Sequence, residues 1–303
     1  MKILSRFNWR EYAGARIHYY LMYFCAFIKK NIKICKHSKI RSGVAICAVF
    51  KDENQYVKEW IDYHMKIGII FFLLYDNMSK IPLSHTLKEY IDKGIVKVIY
   101  KNADYDSRQA EAYNDSVNHL QNYEWAVYID IDEFIVLQKE ETDIKDYLKK
   151  YDDTVSIVGL NWLMFGSNGH KTVQTSIINS YTQSCPNYHH NNHIKSIVRL
   201  SRFYWTNNPH YFFITKGKIV NVKGEPIKKG SPFNSPPVLN ETMRINHYYT
   251  RSYEDFKLKQ KRGRGDCKLK APDESYFLLQ KENVQNFDII NLISRINQKN
   301  RVN

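Results

Sequence analysis

The feature that most constrains the fold is an alternation of continuous apolar segments with amphipathic segments. Apolar segments that predict buried strands lie at residues 44–50, 69–75 and 95–100, and at the start of YEWAVYIDIDEFIVL, residues 123–137. The segments between them place apolar residues at helical spacing, and Gly68 and Gly94 are placed to end the first two helices. Continuous apolar strands separated by helices imply a parallel sheet covered by helices on both faces. The sequence therefore predicts an α/β fold with a mostly parallel sheet.

Carboxylates follow three of the predicted strands at the points where those strands end. Asp52 and Glu53 follow the first strand, Asp76 follows the second, and Asp130 and Asp132 follow the fourth. The carboxyl ends of parallel strands meet at one edge of a sheet, which is where ligands of such folds bind. Like charges that lie close together repel and raise one another's pKa. We therefore expect a cation among them, and Mg²⁺ and Mn²⁺ are the ions that prefer carboxylate oxygens.

The second half of the chain contains a long basic span, in contrast to the acidic ends of the predicted strands. Residues 154–224 contain no Asp or Glu, but they contain seven Lys or Arg and five His. The whole chain has a formal net charge of +14. Such an excess favours an anionic partner, which can be a phosphate group, a nucleic acid or an acidic membrane surface.

Three parts of the chain are predicted: an N-terminal segment (1–40), a main domain (41–265) and a C-terminal helical extension (266–303). The apolar run at 17–28 is too short to span a bilayer, which needs about 20 residues. With its basic flanks it fits either an interfacial helix on an anionic membrane or a helix packed on the main domain.

Ser252 and Asp255 have capping-box spacing and predict the start of a basic helix. The five cysteines are scattered without a CxxC motif, which favours a reduced, cytoplasmic protein.

Several segments, in the same order along the chain, resemble the family-92 and related family-2-like glycosyltransferases. YIDIDEFIV resembles the metal-binding segment of GT-A glycosyltransferases, and KDENQYVKEWIDYHMKIGIIFFLLYDNMS resembles the opening of the family. NWLMFGSNGH, HIKSIVRL, NPHYF and INHYYTRSYEDFKLKQKRG resemble its later blocks, so that the match runs from about residue 44 to 265. The chain departs from the family at Asp52, where Asn is more usual, and in NMSKIP, where the family tends to show S-x-D-G. The resemblance implies a GT-A-like fold, in which a Rossmann-like nucleotide-binding sheet is joined to a smaller acceptor-binding half.

The resemblance also implies an activity. The implied reaction is the metal-dependent transfer of a sugar from a UDP-linked nucleotide-sugar donor to a glycan or a lipid-linked acceptor. We expect an inverting reaction in surface polysaccharide or lipopolysaccharide synthesis, at the inner face of a membrane. Asp130 and Asp132 would hold Mn²⁺ or Mg²⁺, and His247 of INHYY would be a third ligand because neutral imidazole binds Mn²⁺. Asp130 fits a ribose contact equally, and His247 also fits a core histidine bonded to backbone.

Four further residues match positions that the family uses for its donor. Glu53 and Asp76 lie where the resemblance places base and ribose contacts, and a carboxylate can accept hydrogen bonds from either group. Either carboxylate fits the stabilisation of a helix N-terminus as well. Lys195 and Lys259 would neutralise the diphosphate of the donor.

The residue that activates the acceptor is left open by the sequence. An inverting reaction needs a base that removes the proton of the acceptor hydroxyl, and the span 154–224 contains no carboxylate. Three candidates remain: Glu133, His170 and Asp266. Trp162 and Phe165 are the candidate platforms for the acceptor sugar, with core packing as the alternative.

Two other classes of protein fit parts of the sequence. A nucleic-acid-binding protein would explain the net charge of +14. It would not explain carboxylates clustered at strand ends, because these repel phosphates unless a metal ion lies between them. A catalytically inactive, glycan-binding relative of the glycosyltransferases is the second alternative.

Overall fold

The computed structural model describes residues 42–100, 108–227, 241–262 and 284–302, together with Glu274 and Phe277. The strands are β1 (Val44–Phe50), β2 (Ile69–Asp76), β3 (Val96–Tyr100), β4 (Trp125–Tyr128), β5 (Glu133–Leu137), β6 (Val155–Met164), β7 (Gln183–Ser184), β8 (Ile194–Arg199), β9 (Phe203–Trp205), β10 (Phe213–Ile214), β11 (Lys218–Asn221), β12 (Met243–His247) and β13 (Val284–Gln285). The helices are α1 (Val57–Lys66), α2 (Leu83–Thr86), α3 (Lys88–Asp92), α4 (Arg108–Ser116), α5 (Ile144–Leu148), α6 (Ile177–Ser180), α7 (Tyr253–Arg262) and α8 (Asp288–Val302). Two short 3₁₀ turns, His189–Asn192 and Leu200–Arg202, flank β8.

In the described part of the chain, nine strands form the main sheet, in the order β3-β2-β1-β4-β8-β6-β12-β5, with β11 beside β6. The four predicted strands, β1 to β4, are neighbours and run parallel, which confirms the α/β prediction. The strand β8 is antiparallel to both β4 and β6. Beyond it, β12 runs parallel to β6 and antiparallel to β5. The sheet is therefore mostly parallel, and its antiparallel pairs lie in the half that the sequence pattern did not resolve into strands.

Both faces of this sheet are buried, as predicted for a sheet with helices on either side. In β1, Val44 and Ile46 belong to the larger apolar cluster with residues of α1, whereas Ala45 and Cys47 belong to the smaller cluster with residues of α4. Successive strand residues point to opposite faces, so an unbroken apolar strand buries both.

The strand β5 was not foreseen as a separate element. The chain turns after β4, and the backbone N–H of Glu133 donates to the carbonyl of Asp130 at 3.1 Å. The strand that follows pairs with β12 at the far end of the sheet rather than continuing beside β1. This turn brings the three carboxylates of residues 130–133 between two strands of the same sheet.

Side chains of α1 cover the outer edge of β5. The indole N–H of Trp60 donates to the carbonyl of Glu133 at 2.8 Å, and the hydroxyl of Tyr63 donates to the carbonyl of Ile135. The backbone N–H of Ile135 donates to Nε2 of His64 at 3.3 Å. These bonds occupy backbone groups that would otherwise be open to pairing with another strand.

The C-terminal helix α8 packs into the larger apolar cluster through Ile289, Leu292 and Ile296. At its start Asp288 accepts a hydrogen bond from Arg244 of β12 at 2.8 Å. Among the helices that the structure describes, none is long and apolar enough to cross a bilayer. The N-terminal segment 1–40, with its candidate membrane contact, lies outside the described residues.

Candidate active site

The carboxylates that the sequence singled out lie at the carboxyl edge of the parallel strands. The strands β1, β2 and β4 run in one direction, so the carboxylates that follow them share that edge. Four further elements add side chains to it: β5 begins with Glu133, β8 carries Lys195, β12 ends with His247, and α7 carries Lys259.

Asp130 is held by a buried lysine. One carboxylate oxygen accepts a hydrogen bond from Nζ of Lys195 at 2.8 Å, and the other accepts one from Nε2 of Gln109 at 2.5 Å. The Lys195 side chain is only 1% exposed. Burial lowers the pKa of this lysine, but the neighbouring Asp130 and Glu133 outweigh burial and raise it, so Lys195 stays charged.

Asp132 lies between a lysine and a histidine. Its Oδ2 accepts a hydrogen bond from Nζ of Lys259, and its Oδ1 lies 3.6 Å from Nε2 of His247. Burial opposes ionisation, yet Lys259 and His247 outweigh it and hold the pKa of Asp132 well below its usual range. Lys259 also donates to the carbonyl of Tyr249 at 3.1 Å and lies 3.6 Å above the centre of that ring.

Glu133 and His247 are paired directly across β5 and β12. Glu133 is fully buried, and its Oε2 accepts the backbone N–H of Asp130 at 2.8 Å. Its Oε1 lies 3.9 Å from Nδ1 of His247, and neither atom has a hydrogen-bond partner among the described residues. Burial, with a smaller contribution from Asp130 and Asp132, raises the pKa of Glu133 to about 8 against the opposing charge of Lys195.

Glu53 anchors two arginines. Arg251 donates to both of its carboxylate oxygens, at 2.7 and 2.8 Å, and Nη2 of Arg262 lies 2.6 Å from Oε1. Burial raises the pKa of Glu53, but these two charges outweigh it and lower the pKa to about 2. Arg251 has a φ of +50°, a left-handed conformation that is uncommon for a residue other than glycine. Such backbone strain is concentrated at functional sites.

Asp76 organises the loop that follows β2. Its side chain accepts the backbone N–H groups of Ser79 at 3.0 Å and Leu83 at 2.8 Å, and the residue is 1% exposed. The carboxylate thereby stabilises the start of α2, which is the alternative that the sequence left open. The predicted ribose contact of Asp76 stays a prediction.

Not all predicted residues converge on the carboxylates. Nε2 of His170 bonds to the carbonyl of Ser180 at 3.0 Å, and its ring packs on Tyr181. In the described part of the chain no hydrogen bond or ion pair joins His170 to the carboxylates of residues 130–133. Asp266 lies outside the described residues.

Of the two candidate acceptor platforms, only Trp162 lies at the site. Its ring centre is 4.3 Å from that of His247, its ring stacks on His193 at 5.0 Å, and 8% of the residue is exposed. Phe165 is fully buried and packs on Tyr248, which is the core-packing alternative that the sequence left open for this residue.

Two residues of the site were not predicted from the sequence, Gln109 and Tyr249. Tyr249 follows His247 by two residues, so its proximity to the site could have been inferred from the INHYY segment. Gln109 could not, because only the packing of α4 brings its amide to Asp130.

The predicted metal ligands are only partly brought together. Within the described ranges, no group of three or more His, Cys, Asp or Glu is arranged to hold a metal ion. Asp132 and His247 face each other, as two ligands of one ion would, whereas Asp130 faces Lys195 and Gln109.

Comparison with known sequences now settles the family. The sequence model of glycosyltransferase family 92 matches residues 41–297, which is most of the chain. This chain belongs to glycosyltransferase family 92. The family assignment and the observed sheet confirm the predicted family and fold class.

Two curated relatives are plant members of family 92. A protein of Oryza sativa subsp. japonica is 27% identical over 227 residues, which cover 71% of this chain and 34% of that protein. A protein of Ricinus communis is 26% identical over 227 residues, which cover 71% of this chain and 37% of that protein. The chain thus spans about a third of the length of the curated relatives it matches.

Similar solved structures are more distant. GalNAc-T7, solved with UDP, GalNAc and Mn²⁺, has a TM-score of 0.41 and 11% identity, over 71% of this chain and 45% of that chain. Residues 1–349 of S. aureus TarS, solved with UDP-GlcNAc, have a TM-score of 0.36 and 16% identity, over 52% of this chain and 46% of that chain. A likeness of this degree does not transfer a ligand to this chain.

Proposed function

We propose that this family-92 chain is a glycosyltransferase that binds a nucleotide-sugar donor at the carboxyl edge of its sheet. The observation that carries the proposal is the position of Asp132, which lies between an imidazole and an ammonium group at the edge where ligands of such sheets bind. A site that combines carboxylates with lysine and arginine side chains suits a diphosphate, which needs positive charge, and a sugar, which needs hydrogen-bond acceptors.

The cations of the site can contribute positive charge toward a diphosphate. Glu53 carries one negative charge and pairs with Arg251 and Arg262, so one positive charge remains. Arg262 and Lys259 keep 17% of their side chains exposed, so both can meet a ligand. Fixed positive groups stabilise the charge that develops on a leaving diphosphate.

The residues present also fit a divalent cation. Asp132 and His247 would hold it, since a carboxylate oxygen and a neutral imidazole nitrogen suit Mn²⁺, and a carboxylate suits Mg²⁺. Two protein ligands are enough for Mg²⁺ in phosphate sites, where substrate phosphates and water supply the rest. When bound, the ion would neutralise the diphosphate leaving group. Asp130, held by Lys195, would then serve as the ribose acceptor rather than as a metal ligand.

We propose a UDP-linked donor, inversion at the anomeric carbon, and a glycan or lipid-linked acceptor in surface polysaccharide synthesis at the inner face of a membrane. Trp162 is the proposed contact for the acceptor sugar, because it lies beside His247.

Asp132→Asn tests the proposal. A panel of nucleotide sugars is incubated with the protein, with and without Mn²⁺, and donor hydrolysis and the midpoint of thermal unfolding are measured. We expect a Mn²⁺-dependent rise in midpoint for one donor. We also expect the variant to hydrolyse that donor at least about 100-fold more slowly, because it loses a fixed charge of the site.

Asp146→Asn is the matched control, since Asp146 of α5 forms an exposed ion pair with Lys149, the residue that follows the helix. It should behave as the unmodified protein does. A protein that hydrolyses no donor, under any metal condition, contradicts the enzymatic proposal. Acceptor-glycan binding that persists in Asp132→Asn without any turnover would instead identify an inactive glycan-binding relative.

A further inference from the structure

We infer that Glu133 is a positioning residue that orients His247 toward the cation, and that it is not the base that activates the acceptor. The inference rests on the proposed function, because it concerns the same cation site. It assigns to this carboxylate a task that the sequence left open between catalysis and structure.

The first support is the geometry between the two side chains. Glu133 and His247 are directly opposite in the β5–β12 pair, so the backbone fixes their side chains next to each other. Oε1 of Glu133 and Nδ1 of His247 are both buried without a partner among the described residues, and they are 3.9 Å apart. Buried polar atoms without partners are costly, and these two are complementary as acceptor and donor.

The second support is the direction of the imidazole. While Nδ1 faces Glu133, Nε2 faces Asp132 Oδ1 at 3.6 Å. A histidine that binds a metal through one nitrogen commonly donates its other N–H to a carboxylate, which fixes the ring and its tautomer. Glu133 stands where that carboxylate is required.

The third support is that Glu133 cannot reach an acceptor. Its side chain is fully buried, and its Oε2 is already bound to the N–H of Asp130 and lies 3.5 Å from Nζ of Lys195. The indole of Trp60 bonds to its carbonyl from the side of α1. A general base must lie within hydrogen-bond reach of the proton that it removes, and this carboxylate faces the interior.

The test compares Glu133→Gln and Glu133→Ala with the unmodified protein. The affinity for Mn²⁺ alone is measured from the electron paramagnetic resonance signal of the free ion, and kcat is measured over a series of Mn²⁺ concentrations. We expect both variants to bind Mn²⁺ about 10- to 100-fold more weakly. We also expect saturating Mn²⁺ to restore most of kcat, since the reacting groups are untouched.

His247→Asn supplies a second measurement. If Glu133 acts through His247, adding Glu133→Gln to His247→Asn should weaken Mn²⁺ binding no further than His247→Asn does alone. Glu124→Gln is the matched control. Glu124 lies directly before β4, at the end of the strand opposite to the site, and it pairs with Arg199. Its Mn²⁺ affinity should equal that of the unmodified protein, and circular dichroism confirms that each variant is folded.

The outcomes separate the inference from the proposed function. Unchanged Mn²⁺ affinity in both Glu133 variants, with turnover lost at every Mn²⁺ concentration, would make Glu133 the base and overturn the inference. Unchanged affinity with unchanged turnover would overturn it as well and leave the proposed function intact. Failure of the unmodified protein to bind Mn²⁺ would overturn the metal-dependent function and the inference together.

Discussion

At the scale of single residues, two buried glutamates of the site have pKa values displaced in opposite directions. The pKa of Glu53 is lowered to about 2 and the pKa of Glu133 is raised to about 8, although burial raises the pKa of both. The difference arises from their partners. Glu53 bonds to two arginines, whereas Glu133 has one lysine at 3.5 Å and lies beside two aspartates, Asp130 and Asp132. Burial alone therefore does not decide the charge of a carboxylate in this site.

The Glu53 pairing makes stability depend on pH in the acid range. The folded pKa of about 2 lies below the usual 4.5, so the stabilisation is complete above pH 4.5 and is lost as the pH falls toward 2. Glu53→Gln should lower the free energy of unfolding at pH 7 by roughly 3 kcal/mol, and should flatten its pH dependence between 4.5 and 2. Urea unfolding at a series of pH values measures both effects. The exposed Glu140→Gln should change neither, and a steep acid dependence that survives Glu53→Gln would refute the assignment.

At the scale of elements, side chains of α1 bond to backbone groups of β5 at the edge where a neighbouring strand would otherwise pair. Trp60, Tyr63 and His64 supply one acceptor and two donors to the free edge of β5. They lie on one face of the helix, since Tyr63 and His64 follow Trp60 by three and four residues. Helical spacing in the sequence predicts such a face, but it does not show that three polar atoms on that face bind the backbone of β5.

His64 offers a test of this contact. Burial lowers its pKa to about 3, although a hydrogen bond to the carbonyl of Trp60 opposes the shift, so the folded protein keeps this ring neutral. The unfolded chain binds a proton near pH 6.5, and stability should fall as the pH drops from 6.5 toward 3. His64→Gln, which stays neutral, should reduce the slope between pH 6.5 and 4.5 by about 1.4 kcal/mol per pH unit. Unfolding curves over this range, above the Glu53 window, measure it, and an unchanged slope would contradict a neutral buried His64.

The capping box that the sequence predicts at the start of α7 is present in the structure. The hydroxyl of Ser252 accepts the N–H of Asp255 at 3.1 Å, and the N–H of Ser252 donates to the Asp255 carboxylate at 3.3 Å. This is the predicted capping box, and it could be predicted because both partners lie within one helical turn. The helix then carries Lys259 and Arg262 to the site.

At the scale of the whole molecule, the C-terminal helix belongs to the core on which the site is built. Leu292 of α8 is fully buried in the larger apolar cluster. Leu292→Ala should therefore lower the free energy of global unfolding by about 2–5 kcal/mol, whereas the exposed Lys299→Ala should change it by less than about 0.5 kcal/mol. Guanidinium unfolding followed by tryptophan fluorescence measures both. If α8 were an independent extension, as a domain boundary at residue 265 would suggest, Leu292→Ala would leave the main transition unchanged.

The sequence by itself determined the parallel half of the sheet and the carboxylates at its edge. Both follow from local rules, since a strand buried on two faces must be continuously apolar, and parallel strands must end on one side. It also placed Asp130 and Asp132 directly after β4, because the two residues are neighbours of the strand in the chain.

Only the tertiary structure decided which charges meet. Lys259 is 127 residues from Asp132, and Arg251 is 198 residues from Glu53. No local pattern specifies such pairs, because the packing of β8, β12 and α7 against the parallel strands creates them. The same packing pairs β5 with β12, and the register of this pair places Glu133 directly opposite His247. The chemistry of the site depends on these contacts, because the Coulomb energy between two charges depends on the distance that separates them in space.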